Sequence, residues 1–169
     1  MGLLYGDQLA DGLVQGRYTS AFWHASGLYW YDVYGGPSPR RLTDREFHRM
    51  SARDGITTLG DRALVVHDGG YLLLEPGEYP NSEHVRLYRA PGCKLQGKPT
   101  VIGTRLFVVD RMDGAMSVLD IADLTSPTLI AKRHLPGNPG RVQQHGSRIV
   151  VPAGHAGLLV GDLDPLLVE

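Results

Sequence analysis

The sequence predicts an all-β fold, a β-propeller built from four repeats of about 43 residues. Glycines recur in four pairs whose members lie ten or eleven residues apart: Gly16 and Gly27, Gly60 and Gly70, Gly103 and Gly114, Gly146 and Gly157. An acid follows each pair after four or five mostly apolar residues: Asp32, Glu75, Asp120 and Asp162. Short apolar runs lie between these residues. Self-similarity at roughly 40–45 residues is typical of propeller blades or of helical arrays.

Strands, not helices, are predicted within each repeat. The apolar runs are four to seven residues long, rich in Val, Ile, Leu and aromatic residues, and bounded by turn-forming residues. No stretch of 12 or more residues carries a sustained helical pattern of apolar residues, which disfavours a helical array. Four short antiparallel strands without a long crossover make a propeller blade, and such sheets bury both faces by stacking around an axis.

The predicted strands follow the same order in every repeat. The first repeat has strands at residues 13–15, 18–23, 28–32 and 41–42. The second has strands at 56–59, 63–67, 71–75 and 85–88. The third, which is the most regular, has strands at 100–103, 105–110, 114–120 and 127–132. The fourth has strands at 142–144, 148–151 and 158–162, followed by a short segment at 166–168.

Each recurring residue has a predicted structural role. The first glycine of a pair is expected at the turn between the first and second strands, where a positive φ is needed. The second glycine is expected to do the same between the second and third strands. The acid that follows the third strand is expected to accept hydrogen bonds from turn amides. An acid at the same place in every repeat favours a fold role over a catalytic one.

The third repeat resembles the LVIVD repeat in residues 103–110, 114–123 and 126–130. That pattern has a glycine turn, a strand with an aromatic residue, an apolar run ending in Asp, and Ser-Pro or Asn-Pro before the last strand. Residues 157–165, 27–33 and 37–39 are similar, whereas the second repeat departs from the pattern at Glu75 and at its 76–80 loop. The resemblance implies a β-propeller that is often extracellular or at the cell surface. It implies no single activity, because function resides in sites and not in folds.

Composition sets limits on the partners. The 169 residues fit one domain, and 17 basic against 18 acidic residues give a net charge of −1. No basic cluster favours nucleic acid or a lipid surface, so neither is an expected partner. Cys93 is the single cysteine, which excludes an intrachain disulfide, and no cofactor is predicted. The absence of a signal peptide predicts a cytoplasmic chain, or an extracellular one if the sequence is a fragment of a larger secreted protein.

The ends of the chain decide how the ring closes. The single domain, residues 1–169, divides into repeats at about 12–55, 56–98, 99–140 and 141–169, with the last completed by residues 1–11. A strand at residues 2–8 is expected to complete the last blade, which would cover exposed strand edges. Three arrangements are compatible with this pattern: a four-bladed ring within one chain, which is slightly favoured, an eight-bladed ring of two chains, or half of a larger propeller.

A polar opening is predicted where the chain enters the first strand of each repeat, because first strands line the axis of a propeller. The four loops there are expected to place charged residues around one rim: Asp11, Asp54, Lys98 and Arg141. Two acids with two bases suit a small polar ligand and supply the candidate catalytic residues of a hydrolase or lyase. The alternative is a solvated rim whose ion pairs contribute little to stability.

Two further groups are candidate binding residues. Gln144 and His145 belong to a predicted inner strand, where polar groups usually hold water. The aromatic cluster of the first repeat includes Trp23, Tyr29 and Trp30, which could bind a sugar or a protein if exposed. A metal site is not predicted, because the histidines that recur between repeats would lie far apart on separate blades.

The sequence therefore favours a non-catalytic propeller scaffold that binds a protein partner or a second copy of itself. Serine-hydrolase, zinc-protease and phosphate-loop motifs are all missing from the sequence. Two alternatives stay open: a hydrolase or lyase at the polar rim, and a carbohydrate-binding module that uses the aromatic residues of the first repeat.

Overall fold

The structure is a computed structural model that describes residues 9–15, 18–23, 27–32, 40–41, 55–60, 62–67, 69–74 and 85–163. These residues form antiparallel sheets, so the prediction of an all-β fold is confirmed. Within the described ranges, the one helical segment is a 3-10 turn, Gly154–Ala156. No helix among those residues is long and apolar enough to cross a membrane.

The first two sheets each contain four strands in sequential order. The strands of the first sheet are β1 Leu9–Gln15, β2 Tyr18–Trp23, β3 Gly27–Asp32 and β4 Arg40–Arg41. Those of the second sheet are β5 Ile56–Leu59, β6 Arg62–His67, β7 Gly70–Leu74 and β8 Val85–Arg89. The predicted strands lie where they were expected, with ends that shift by one or two residues and a first strand that begins four residues early.

The third sheet repeats this order, and the fourth has three strands among the described residues. The third sheet contains β9 Lys98–Ile102, β10 Arg105–Asp110, β11 Ala115–Asp120 and β12 Thr128–His134. The fourth contains β13 Gln143–His145, β14 Arg148–Pro152 and β15 Leu158–Asp162. The predicted strand at 2–8 and the segment at 166–168 lie outside the described residues, so closure of the fourth sheet by the chain ends stays a prediction.

The first glycine of each described pair adopts the predicted positive φ. The φ angles are +59° at Gly60, +61° at Gly103 and +62° at Gly146, and nothing lies within 4 Å of a Cβ added at any of them. The recurring glycine therefore reflects the left-handed backbone and not a lack of space. Gly16 lies outside the described residues.

The prediction for the second glycine is confirmed at two positions and wrong at a third. Gly114 and Gly157 have φ angles of +64° and +80°, but in the second repeat the positive φ belongs to Gly69, at +76°. Gly70 instead begins β7 and pairs with Arg89 of β8. A side chain there would meet the carbonyl oxygen of Tyr88, so close strand pairing excludes one.

The acid after the third strand has its predicted turn role in the third repeat. The Oδ1 atom of Asp120 accepts a hydrogen bond from the amide of Ala122 at 2.8 Å. In the fourth repeat, Asp162 instead pairs with Arg148 across the sheet, with 3.6 Å between Nε and Oδ1. Both of those side chains are mostly exposed, so their ion pair contributes little to stability.

The second and third sheets stack face to face around a shared apolar core. The second sheet contributes Leu64, Val66, Tyr71 and Leu73, and the third contributes Leu106, Val108 and Leu119. We call the side of a sheet that faces the next repeat its forward face and the opposite side its rear face. This junction therefore joins the forward face of the second sheet to the rear face of the third.

The third and fourth sheets are joined in the same way. The forward face of the third sheet contributes Phe107, Val109, Met116 and Val118, and the rear face of the fourth contributes Ile149 and Val151. Because side chains alternate along a strand, neighbouring residues of β10 enter two different cores. The five residues after Arg105 in β10 are all buried, as a sheet stacked on both sides requires.

Candidate functional site

Arg141 lies where three repeats meet. Its Nη1 atom donates hydrogen bonds to the carbonyl oxygen of Ile56 at 2.8 Å and to that of Pro99 at 3.2 Å. Ile56 begins β5 and Pro99 is the second residue of β9, so the start of the fourth repeat contacts the first strands of the second and third repeats. The guanidinium is half-buried and binds backbone, whereas the sequence suggested a rim charge facing solvent.

Of the other predicted rim residues, Lys98 directly precedes Pro99, whose carbonyl oxygen accepts a hydrogen bond from Arg141. Lys98 is half-buried and is the first residue of β9, not a loop residue. Asp11 was also expected in a loop, but it lies inside β1 and pairs with Phe22. Asp54 lies outside the described residues. A catalytic role for this set stays a prediction that the described contacts do not test.

Gln144 and His145 are exposed residues of β13. The Nε2 atom of Gln144 donates to the carbonyl oxygen of Gly146 at 2.9 Å, which holds the turn after the strand. Gln144 also lines a cleft of about 300 Å³ beside Arg105, whose Nη1 atom donates to the carbonyl oxygen of Leu163 at 3.0 Å. Both hydrogen bonds are therefore made to backbone carbonyl oxygens, at the turn after β13 and just after β15.

The aromatic candidates lie in the first sheet. Trp23 ends β2, and Tyr29 and Trp30 lie in β3. Tyr29 pairs with Ala21 and Trp30 pairs with Ser20 of β2. The surroundings of these side chains are outside the described part of the structure, and their role in binding a sugar or protein stays a prediction.

Possible metal ligands and the thiol are placed as follows among the described residues. No three His, Cys, Asp or Glu side chains in the described ranges lie close enough together to hold a metal ion. Cys93 is half-buried and packs against the core between the second and third sheets. It borders an open cleft of about 440 Å³ together with Arg89 and Lys94.

The forward face of the fourth sheet is the most distinctive surface of the described chain. Leu158 and Val160 of β15 are 68% and 58% exposed, which is unusual for large apolar side chains in a strand. The register pairs them with Pro152 and Val150 of β14, both half-buried. We call these four residues, Val150, Pro152, Leu158 and Val160, the open face.

The open face is the counterpart of surfaces that are buried in the second and third repeats. Val160 pairs with Val150 as Val118 pairs with Phe107 in the third sheet. Phe107 and Val118 are completely buried against the fourth sheet. The same positions in the second sheet, Leu64 and Leu73, are also buried. The fourth sheet therefore carries a junction surface that the described structure leaves exposed.

The rim of the open face is polar. The exposed pair of Arg148 and Asp162 lies at one end, and His145 is the partner of Arg148 in β13. An apolar centre with a polar border is the usual organisation of a protein interface. The incomplete last repeat was expected from the sequence, whereas this face was not, although the alternation of Leu158 and Val160 is visible there.

Comparison with solved structures supports the fold. No family model matches the sequence, and no curated protein matches it either. The chain is similar to BamB from Moraxella catarrhalis, with 18% identity and a TM-score of 0.57 over 90% of this chain and 42% of that one. It is also similar to the computationally designed Ika8 protein, with 11% identity and a TM-score of 0.64 over 92% of this chain and 46% of that one.

A third similar structure is PorZ, a surface component of the type-IX secretion system of Porphyromonas gingivalis. The identity is 14% and the TM-score is 0.55, over 95% of this chain and 21% of PorZ. The chain spans less than half the length of each of these three proteins. At such identities the similarity concerns the fold alone, which is all-β and propeller-like.

Proposed function

We propose that this chain is a non-catalytic propeller scaffold that associates with another polypeptide through the open face. The observation that carries the proposal is the exposure of Leu158 and Val160, at positions that are buried between sheets in the second and third repeats. Covering an exposed apolar patch favours association because it removes apolar surface from water. Exposed apolar patches bordered by polar residues are typical of protein interaction sites.

The repeat architecture supports this role. Each described junction joins a forward face to a rear face, so the fourth sheet is already shaped to receive one more sheet. The proposal includes the four-blade count of the chain and its membership of the LVIVD-type repeats, which rests on residues 103–110, 114–123 and 126–130. Among the similar structures, PorZ is itself described as a component of a secretion system, which fits a propeller in an assembly.

The test compares tagged chains in extracts of the cells that make this protein. One chain has a mass of 18.5 kDa without its tag. The tagged wild-type chain should sediment as a species heavier than one tagged chain. The double variant Leu158→Lys with Val160→Lys should shift to the mass of a single chain, because two charges on the open face oppose its burial.

The matched control is Met112→Lys, because Met112 is 77% exposed in the turn between β10 and β11. That variant should sediment as the wild type does. A wild-type chain that sediments alone, or a double variant that keeps the wild-type mass, would overturn the proposed association.

A further inference from the structure

We infer that the outer edge of β12 binds an acidic, extended segment of a partner polypeptide, which adds to the third sheet as a further strand. β12 is the last strand of that sheet in the described structure, with β11 as its neighbour on one side. It has seven residues, and the other described outer strands, β4 and β8, have two and five. Strand edges of this kind recognise extended peptides through backbone hydrogen bonds. The edge is separate from the open face, which belongs to β14 and β15.

The hydrogen-bond ladder determines which backbone groups of β12 point away from β11. The amide of Leu135 donates to the carbonyl oxygen of Gly114 at 2.7 Å, so Leu135 faces β11. Because the direction of backbone groups alternates along an antiparallel strand, Arg133 also faces β11, whereas Lys132 and His134 point outward. The Nη1 atom of Arg133 donates to the carbonyl oxygen of Lys132 at 3.2 Å. That carbonyl is therefore accessible to a donor that does not belong to β11.

The charge of this edge favours an acidic partner. β12 contains Lys132, Arg133 and His134 and no acid. The other described outer strands, β4 and β8, each contain two arginines and no acid. The whole chain has 17 basic and 18 acidic residues, so the excess of basic residues is specific to these strands. A second copy of β12 brings no carboxylate to the edge, whereas an acidic strand forms opposite-charge pairs across the ladder.

The first half of β12 adds an apolar contact. Leu129 and Ile130 are 38% and 37% exposed. A guest strand that carries acids at one end and an apolar residue at the other therefore matches β12 along its length. A nucleic acid fits this edge less well, because its phosphate groups supply no hydrogen-bond donor to the outward carbonyl of Lys132.

Fluorescence anisotropy with the full chain measures the binding of labelled synthetic peptides. The probe is a short peptide in which Glu alternates with Val. One control peptide has Lys in place of each Glu, and a second keeps every Glu but has Pro in place of each Val, which disfavours strand pairing. The Glu–Val peptide should bind more tightly than either control. Equal binding of a control peptide, or displacement of the Glu–Val peptide by a short single-stranded DNA, would overturn the inference.

Two substitutions at one position separate the charge from the backbone. Lys132→Gln removes the charge and should weaken binding of the Glu–Val peptide by about threefold. Lys132→Pro also removes the outward N–H and should weaken binding by about tenfold. The chain should stay folded, because that N–H takes no part in the pairing with β11. Lys94→Gln, at another exposed lysine, is the control and should bind as the wild type does. Wild-type affinity in both Lys132 variants would contradict the assigned edge.

Amide hydrogen exchange resolved by residue tests the geometry without any substitution. Addition of the Glu–Val peptide should slow exchange at the outward amides of Lys132 and His134. The amides of Arg133 and Leu135 face β11 and should be protected with or without the peptide. Peptide binding that leaves exchange at Lys132 and His134 unchanged would show that no strand is added to β12.

The edge and the open face are tested separately. The double variant Leu158→Lys with Val160→Lys should bind the Glu–Val peptide as the wild type does, because its substitutions lie on β15. Loss of peptide binding in that variant would place the acidic segment on the open face and remove the inference. A wild-type chain that binds no Glu–Val peptide would also remove it, and would leave association through the open face intact, since that association is measured by mass.

Discussion

The guanidinium of Arg141 donates to backbone carbonyls that lie 85 and 42 residues earlier in the chain. Three repeats thus meet at one half-buried side chain. Hydrogen bonds from a charged donor contribute more to stability than neutral ones, and a buried carbonyl that loses its donor is destabilising. At the scale of single residues, this contact is the clearest link between repeats that are distant in sequence.

Replacing Arg141 with Met should therefore lower the free energy of unfolding by about 2 kcal/mol, because the charge-assisted hydrogen bonds to the carbonyls of Ile56 and Pro99 are lost. Urea unfolding followed by circular dichroism measures the loss. The matched control is Arg111→Met, which removes an exposed hydrogen bond to Asn138. We expect the control to change the free energy by less than about 1 kcal/mol. Equal losses in the two variants would contradict the role given to Arg141.

The positive φ at Gly103 supports a second prediction at the residue scale. Gly103→Ala should lower the free energy of unfolding by about 1 kcal/mol, because φ is +61° and a Cβ is disfavoured in that conformation. Gly140 is the control, since its φ is not in the left-handed region. A Cβ added there would lie 3.6 Å from the carbonyl oxygen of Pro152, which is an ordinary van der Waals distance. Gly140→Ala should be neutral or slightly stabilising, because alanine restricts the unfolded chain. A larger loss at Gly140 than at Gly103 would contradict the assignment.

At the scale of elements, the strands were well predicted because their apolar runs are short and bounded by turn residues. β2, β5, β10 and β15 have the bounds that the sequence predicted. β9 begins two residues earlier than expected, because Lys98 and Pro99 extend it as an edge strand, where proline is tolerated. The 3-10 turn Gly154–Ala156 was missed, since three residues leave no periodic signal.

The candidate site was harder to predict, for reasons that are specific to its residues. Arg141 was recognised as a charge at the start of a repeat, but sequence carries no sign of which distant carbonyls it binds. Leu158 and Val160 follow the same alternation as Met116 and Val118. Met116 and Val118 are buried because the fourth sheet covers the third. Leu158 and Val160 are exposed because no sheet covers the fourth in the described part of the chain.

Tyr71 connects two elements and supports a prediction on pH. Its hydroxyl donates to the carbonyl oxygen of Leu124 at 2.6 Å, which joins β7 to the loop between β11 and β12. Burial, followed by the effects of Tyr88 and Asp123, raises the pKa of Tyr71 well above its ordinary value of 10.0. The folded tyrosine therefore stays neutral at a pH where the unfolded tyrosine ionises.

The difference in pKa between the two states sets the direction of the pH effect. Below pH 10 the stabilisation by Tyr71 is complete, and Tyr71→Phe should lower the free energy of unfolding by about 1 kcal/mol. Above pH 10 the unfolded wild-type chain loses a proton that the folded chain keeps, so wild-type stability falls faster than that of the variant. Urea unfolding of both proteins at pH 7 and pH 11 measures the gap between them. A gap that widens at high pH would contradict this account.

At the scale of the whole molecule, the chain is a directional stack of sheets. Each core is formed by a forward face and a rear face, and the cores on the two sides of the third sheet share no residue. Such an array gains stability from each junction between neighbours. The open face is the end of that stack in the described chain, and its apolar residues are available for a further junction.

A pair of equivalent substitutions tests this description. Val118→Lys places a charge in the core between the third and fourth sheets and should prevent stable folding, because Val118 is fully buried there. Val160→Lys at the matching position of the fourth sheet should leave the single chain folded, since Val160 is mostly exposed. Circular dichroism spectra and thermal unfolding curves compare the two variants. Unfolding by Val160→Lys would mean that the open face is covered within the chain.

The contact made by Arg141 also has a place in the order of folding. Closing a loop of 85 residues between Ile56 and Arg141 is entropically unfavourable until the intervening sheets have formed. The contact should therefore be absent from the transition state of folding and should form only afterwards, so that it stabilises the native state alone. Arg141→Met should raise the unfolding rate and leave the refolding rate nearly unchanged in stopped-flow experiments. One side chain would then influence how long the sheets stay stacked before the chain unfolds, with little influence on how quickly the chain folds.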